Sequence, residues 1–120
     1  MRQVFSILVN NHAGVLSHVS GLFARRGYNI ESIAAGPTED EEVTRIMIVA
    51  FGEEDKLEQI TRQLRKLYDV REVNKLSYNR SVTRELVLAT VAADSERRAE
   101  VLQIANAFGA SIVNISDSSV

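Results

Sequence analysis

The sequence predicts an α+β chain: a complete βαββαβ unit over residues 1–77, a connection over 78–83, and an incomplete second unit, βαβ, over 84–120. Three observations carry this. Short segments rich in β-branched residues alternate with longer ones whose apolar residues recur at helical spacing. Two basic residues followed by glycine, Arg25-Arg26-Gly27, mark the end of a helix. After the polar stretch Tyr78 to Thr83, strand and helix patterns begin again.

The elements follow in order. Val4 to Val9 is an apolar strand. Val15, Leu16, Val19, Leu22 and Phe23 then form one face of a helix that stops at Gly27. Tyr28 to Ala34 reads as a second strand, and Gly36 to Glu42 as an acidic, solvated turn. Val43 to Phe51 is apolar on both faces, as a central strand covered on both sides would be. A second helix runs from Glu54 to Tyr68 with Leu57, Ile60, Leu64 and Leu67 in one stripe. Its acids (Glu53, Glu54, Asp55) lie at the start and its bases (Arg62, Arg65, Lys66) near the end, as the dipole favours. Val70 to Leu76, with several charges, suits a sheet edge.

This order is that of the split βαβ, or ferredoxin-like, unit, with two helices on one face of a four-stranded antiparallel sheet. Its helix-free face still carries apolar residues, so another protein or domain is expected there. In the second unit, Leu86 to Ala92 reads as a strand, Ala93-Asp94-Ser95 as a helix cap, and Ser95 to Phe108 as a helix with Val101, Leu102, Ala105 and Phe108 inward. Ile112 to Ile115 reads as a further strand. Gly27 and Gly109 occupy equivalent places, which suggests a distant internal repeat.

Composition narrows the function. The 120 residues are 45% hydrophobic, enough for a packed core, and the net charge of −2 offers no electrostatic case for nucleic acid or an anionic membrane. No cysteine is present, so disulfides are excluded. Met1-Arg2-Gln3 leads directly into a strand without a signal-peptide pattern, and no apolar run would span a bilayer; a cytoplasmic location is expected.

The stretch between first strand and first helix, Asn10-Asn11-His12-Ala13-Gly14, holds two amides and a glycine but no nucleophile and no acid. Helix N-terminal N–H groups bind anions, Asn donates and accepts hydrogen bonds, and Gly14 permits close approach to the backbone. That chemistry suits a small molecule carrying a carboxylate and an ammonium, such as an amino acid. It is chemistry for binding. Two histidines, His12 and His18, lack the cysteine or carboxylate that would complete a metal site, and Ser17 has no base to activate it. Asn10 and Asn11 also suit a plain turn. RNA-binding relatives of this architecture use exposed aromatics on a basic surface, which 6% aromatic residues and an acidic balance do not supply. An acylphosphatase-like enzyme would need a catalytic constellation, and none is visible.

Asn11 to Ser17 with Gly21 to Ile33, continued through Leu57-Glu58-Gln59-Ile60 and Arg84-Glu85-Leu86, closely resembles the small regulatory subunit of acetolactate synthase. The resemblance covers nearly the whole chain. It implies an N-terminal ACT domain that pairs side by side with a second copy, valine bound where the two meet, and a catalytic large subunit as partner. Activation of that partner and feedback inhibition by valine in branched-chain amino-acid biosynthesis follow from it. It assigns Asn11, Ala13, Gly14, Val15 and Leu16 to the effector, with Asn29 and Ile30 approaching from the neighbouring chain. It assigns no catalytic residue and no cofactor to this chain; the family's thiamine diphosphate, Mg2+ and FAD belong to the catalytic partner. Members of this family usually continue for several tens of residues to complete the second unit, which here has only its opening βαβ.

Overall fold

Alternation along the strands decides which residues the helices cover. In β1 (Arg2–Asn10), Phe5, Ile7 and Val9 are buried on one face, and in β3 (Val43–Phe51) so are Ile46, Ile48 and Ala50. Val73 of β4 (Val70–Leu76) joins them. Onto this face pack Val15, Val19, Leu22 and Phe23 of α1 (Val15–Arg25) and Leu57, Ile60 and Leu64 of α2 (Glu54–Arg65). Phe5 and Phe23 meet edge to face, ring centroids 5.9 Å apart at 75°, a geometry aromatic quadrupoles prefer.

The computed structural model describes residues 1–120. It divides into two units, Met1–Thr83 and Arg84–Val120. With β2 (Ile30–Pro37), the first unit has the predicted βαββαβ order, and its sheet runs β2-β3-β1-β4 with each adjacent pair antiparallel. β3 and β1 are central; β2 and β4 are the edges. The helix-free face carries Val4, Leu8, Met47, Val49 and Phe51, the last 60% exposed, with Arg45 donating to Ser6 Oγ at 3.1 Å. No helix is long and apolar enough to cross a membrane.

β2 begins two residues later than the sequence pattern suggests. The reason is the end of α1: Gly27 N–H donates to Ala24 O (3.1 Å) and Tyr28 N–H to Phe23 O (3.0 Å). This pair of bonds closes a Schellman motif, which requires the left-handed φ of +74° at Gly27. Tyr28 is thereby committed to the helix end. α2 likewise stops at Arg65 rather than Tyr68, because Lys66 and Leu67 turn more tightly, bonding to Gln63 O and Leu64 O.

The second unit departs further from expectation. The Asp94 carboxylate accepts from Glu96 N–H (3.1 Å) and Arg97 N–H (2.9 Å) but caps a turn rather than the helix: α3 (Arg98–Ala107), expected from Ser95, begins three residues later. Gly109 and Ala110 repeat the Schellman bonds of Gly27 and Tyr28. Leu86 to Ala92 and Ile112 to Ile115, however, are not strands; the only β pairing is an isolated bridge, Ala92 to Ser119. Leu86 is 91% exposed, and Phe108, expected inward, 86%. In a split unit the first two strands are not neighbours, and residues 84–120 supply no strand to lie between them. Apart from the bonds of Val91 to Val120 and Ala93 to Ser118 around that bridge, their backbone groups find no ladder, so apolar content alone does not make them strands.

Candidate functional site

The loop Asn11–Gly14 leaves the end of β1 and is held from both sides. On one side, Asn11 N–H donates to Glu42 O (2.8 Å) and Asn11 Nδ2 to Glu41 O (3.1 Å). On the other, Asp69, in the turn between α2 and β4, accepts from Asn10 N–H through its backbone oxygen (2.8 Å) and from Asn10 Nδ2 through its carboxylate (3.2 Å). The same carboxylate oxygen meets His12 Nδ1 at 3.1 Å, and Arg71 Nε donates to Asn10 Oδ1 at 2.6 Å.

These contacts separate the two asparagines. Both ends of the Asn10 carboxamide are engaged, so it serves the frame. Asn11 spends its NH2 on a carbonyl, which fixes the orientation of the amide and leaves Oδ1 without a protein donor. Asn11 is therefore the one able to accept from an ammonium. The acidic turn expected to be merely solvated supplies Glu41 O and Glu42 O to this frame, and His12 is a bonded loop residue.

Gly14 is the N-cap of α1 at φ +85°, and no side chain caps the helix. A β-carbon at Gly14 would meet no atom within 4 Å; the conformation, not space, favours glycine. Val15 N–H leans on His12 O at 3.4 Å, and His18 N–H closes the first helical bond to Gly14 O. The N–H groups of Ala13, Gly14, Leu16 and Ser17 have no protein acceptor. They form a set of donors at the positive end of a helix without an acid in its first turn. Of the residues assigned to the effector, Val15 turns its side chain into the core, whereas Asn11, Ala13, Gly14 and Leu16 are exposed, Leu16 47% so.

Asn29 and Ile30 are elsewhere in the same chain. Ile30 pairs with Ala50, which pairs with Gln3, whereas the loop follows Asn10, which pairs with Val43. From the level of Gln3 to Asn10 is seven residues of strand, about 23 Å at roughly 3.3 Å each. One chain does not bring the two groups together. Asn29 is exposed at the start of edge strand β2, and Ile30 packs partly on its own core. Two concavities lie elsewhere than Asn11–Leu16: about 480 Å³ beside Ala34, Gly36, Arg45 and Met47, and about 610 Å³ around Arg2, Lys75 and Tyr78. Within one chain Asn11, His12, Ala13 and Gly14 all stay exposed.

Sequence reasoning missed Asp69, Arg71 and the two carbonyls. The topology held the signal: β4 runs antiparallel to β1, so the residue before β4 falls beside the end of β1.

Comparison with known proteins agrees with this architecture. Residues 5–72 match the family described as AHAS small subunit-like ACT domain, and residues 84–120 match the small subunit of acetolactate synthase. The acetolactate synthase small subunit of Mycobacterium avium is 46% identical over 111 residues, 92% of this chain and 66% of that protein. That of Haemophilus influenzae is 43% identical, over 99% of this chain and 73% of its own length. The crystal structure of the acetolactate synthase small subunit from Thermotoga maritima superposes with a TM-score of 0.81 at 29% identity, over 99% of this chain and 74% of that one. The chain thus spans about two thirds to three quarters of these relatives' lengths. With the βαββαβ sheet, the open helix N-terminus and these matches together, the chain belongs to the acetolactate synthase small-subunit family.

Proposed function

We propose that this chain is an amino-acid-sensing regulatory subunit of acetolactate synthase: paired with a second copy, it binds valine and conveys feedback inhibition to a catalytic large subunit, which it otherwise activates. The observation that carries the reading is the loop at the start of α1, with free N–H groups at Gly14 and Leu16 for a carboxylate and a free Asn11 Oδ1 for an ammonium. Charge-assisted hydrogen bonds of this kind contribute roughly 1.5–3 kcal/mol each. Leu16, exposed beside them, suits the isopropyl group.

The missing half of the site is supplied by symmetry. Pairing β2 antiparallel with β2 of a second copy would satisfy that exposed edge and join two four-stranded sheets into one. A two-fold axis near the middle of β2 brings Asn29 and Ile30 of each copy to the Pro37 end of the other, the end at which the Asn11 loop lies. Discrimination against leucine is modest, one methylene amounting to about 1–3 kcal/mol. Calorimetric titration of valine, with light scattering on the same sample, tests the reading. Heat on valine addition and a dimer are expected; valine bound by a stable monomer would refute the shared site.

A further inference from the structure

We propose that Asp69 is a positioning residue for the effector loop: it touches no effector, but through Asn10 and His12 it sets where the free N–H groups of α1 point. The inference deepens the valine reading and rests on it. Three consecutive residues lead to Ala13, and each is fastened. Asn11 is held by Glu41 O and Glu42 O, whereas Asn10 and His12 both converge on Asp69. The Asp69 side chain is 22% exposed, compared with 63% for His12, so the anchor is the sheltered member of the pair. Its backbone oxygen accepts from Asn10 N–H as its carboxylate accepts from Asn10 Nδ2, a two-point grip on one residue. Arg71 completes the frame by fixing the opposite end of that carboxamide. His12 N–H in turn donates to Asn10 O at 2.8 Å, so the turn leading to Gly14 is built directly on the residue that Asp69 holds. Gly14 itself, at φ +85°, is tied to α1 only through its carbonyl, which accepts from His18 N–H at 3.1 Å. On the strand side, the α2–β4 turn sets the path of the chain into it.

The test is a set of variants titrated with valine, with thermal melts as a control for folding. Asp69→Ala should weaken valine about tenfold or more, the loss expected when a charged hydrogen-bond partner is removed. Asp69→Asn keeps an oxygen that accepts from Asn10 Nδ2 and should stay within about threefold of the parent. Asn10→Ala should cost about as much as Asp69→Ala, and the two together clearly less than the sum, because Asp69 acts in large part through Asn10. Arg71→Ala, at an exposed site, should give a smaller loss while remaining folded even where Asp69→Ala does not. Losses that add in full, or unchanged valine affinity in both Asp69→Ala and Arg71→Ala, would overturn the proposal. Amide signals provide a readout without valine: Asp69→Ala or Arg71→Ala should shift those of Ala13, Gly14 and Leu16. If these signals stay in place, the positioning role is wrong whether or not the parent chain binds valine; a parent that binds none, with shifted signals, refutes only the functional reading.

Discussion

Replacing Gly14 by aspartate sets a carboxylate where the effector carboxylate is proposed to sit. The fold should survive. A β-carbon meets nothing within 4 Å, so the cost is that of a left-handed backbone, roughly 1–2 kcal/mol and less for Asn or Asp. For a domain of about this size, each kcal/mol lowers Tm by about 4–8 °C. Binding is affected far more. Two carboxylates about 4 Å apart repel by roughly 4 kcal/mol at an effective dielectric constant of 20. That is about a thousandfold in Kd. Gly14→Asn carries the same backbone strain without the charge, so comparison of the two variants isolates the repulsion. Calorimetry should find Gly14→Asn within about tenfold of the parent and Gly14→Asp without measurable valine binding, both with cooperative melts. Equal valine affinity in the two variants would show that the effector carboxylate lies elsewhere.

Other outcomes follow from the same structure. Gly14→Asp and Asn29→Ala should each lose valine binding alone, yet mixing them in equal amounts should restore about a quarter of the sites, because half of randomly paired dimers then hold one intact site; no recovery after subunit exchange would argue against a shared site. Phe23→Ala, which removes a fully buried ring from against Phe5, should destabilise the first unit by about 3–5 kcal/mol in urea melts. The Glu58 carboxyl is held below its usual range by the hydrogen bond from Lys75 and then by that cation's charge. A carboxyl depressed in the folded state adds stability above its unfolded pKa and loses it as pH falls through the folded value. Lys75→Ala should therefore raise the Glu58 pKa in an NMR titration and weaken this acid-side dependence. Amides of Val43 to Phe51, paired on both sides, should exchange more slowly than those of Leu86 to Ala92.

What the sequence revealed depended on whether the deciding forces were local. Val43–Phe51 was legible to its end residues because two apolar faces and flanking turn signals all agree on one strand. The Arg25-Arg26-Gly27 stop was legible too, but Tyr28, β-like in composition, was drawn into the helix end by its bond to Phe23 O. Leu86 to Ala92 has the composition of a strand but pairs only at Val91 and Ala92, with Val120 and Ser119, and pairing is a non-local property that composition does not carry. In the candidate site, the loop itself was readable from Asn11 and Gly14. Its frame was not, since Asp69 and Arg71 lie some sixty residues away in sequence and come close only once β4 is laid against β1.

The strand order β2-β3-β1-β4 places Asn29 and the Asn11 loop at opposite ends of one sheet, so a valine site shared as proposed would give the protein a second input. A site that exists only between copies fills according to the protein's own concentration as well as the ligand's. Upon dilution below the dimer dissociation constant, valine affinity should fall even though no residue has changed. By the same mass action, valine should hold the dimer together by RT ln(1 + [L]/Kd) for each site it occupies. A chain that works as proposed would register an amino acid only when enough copies of itself are present to respond.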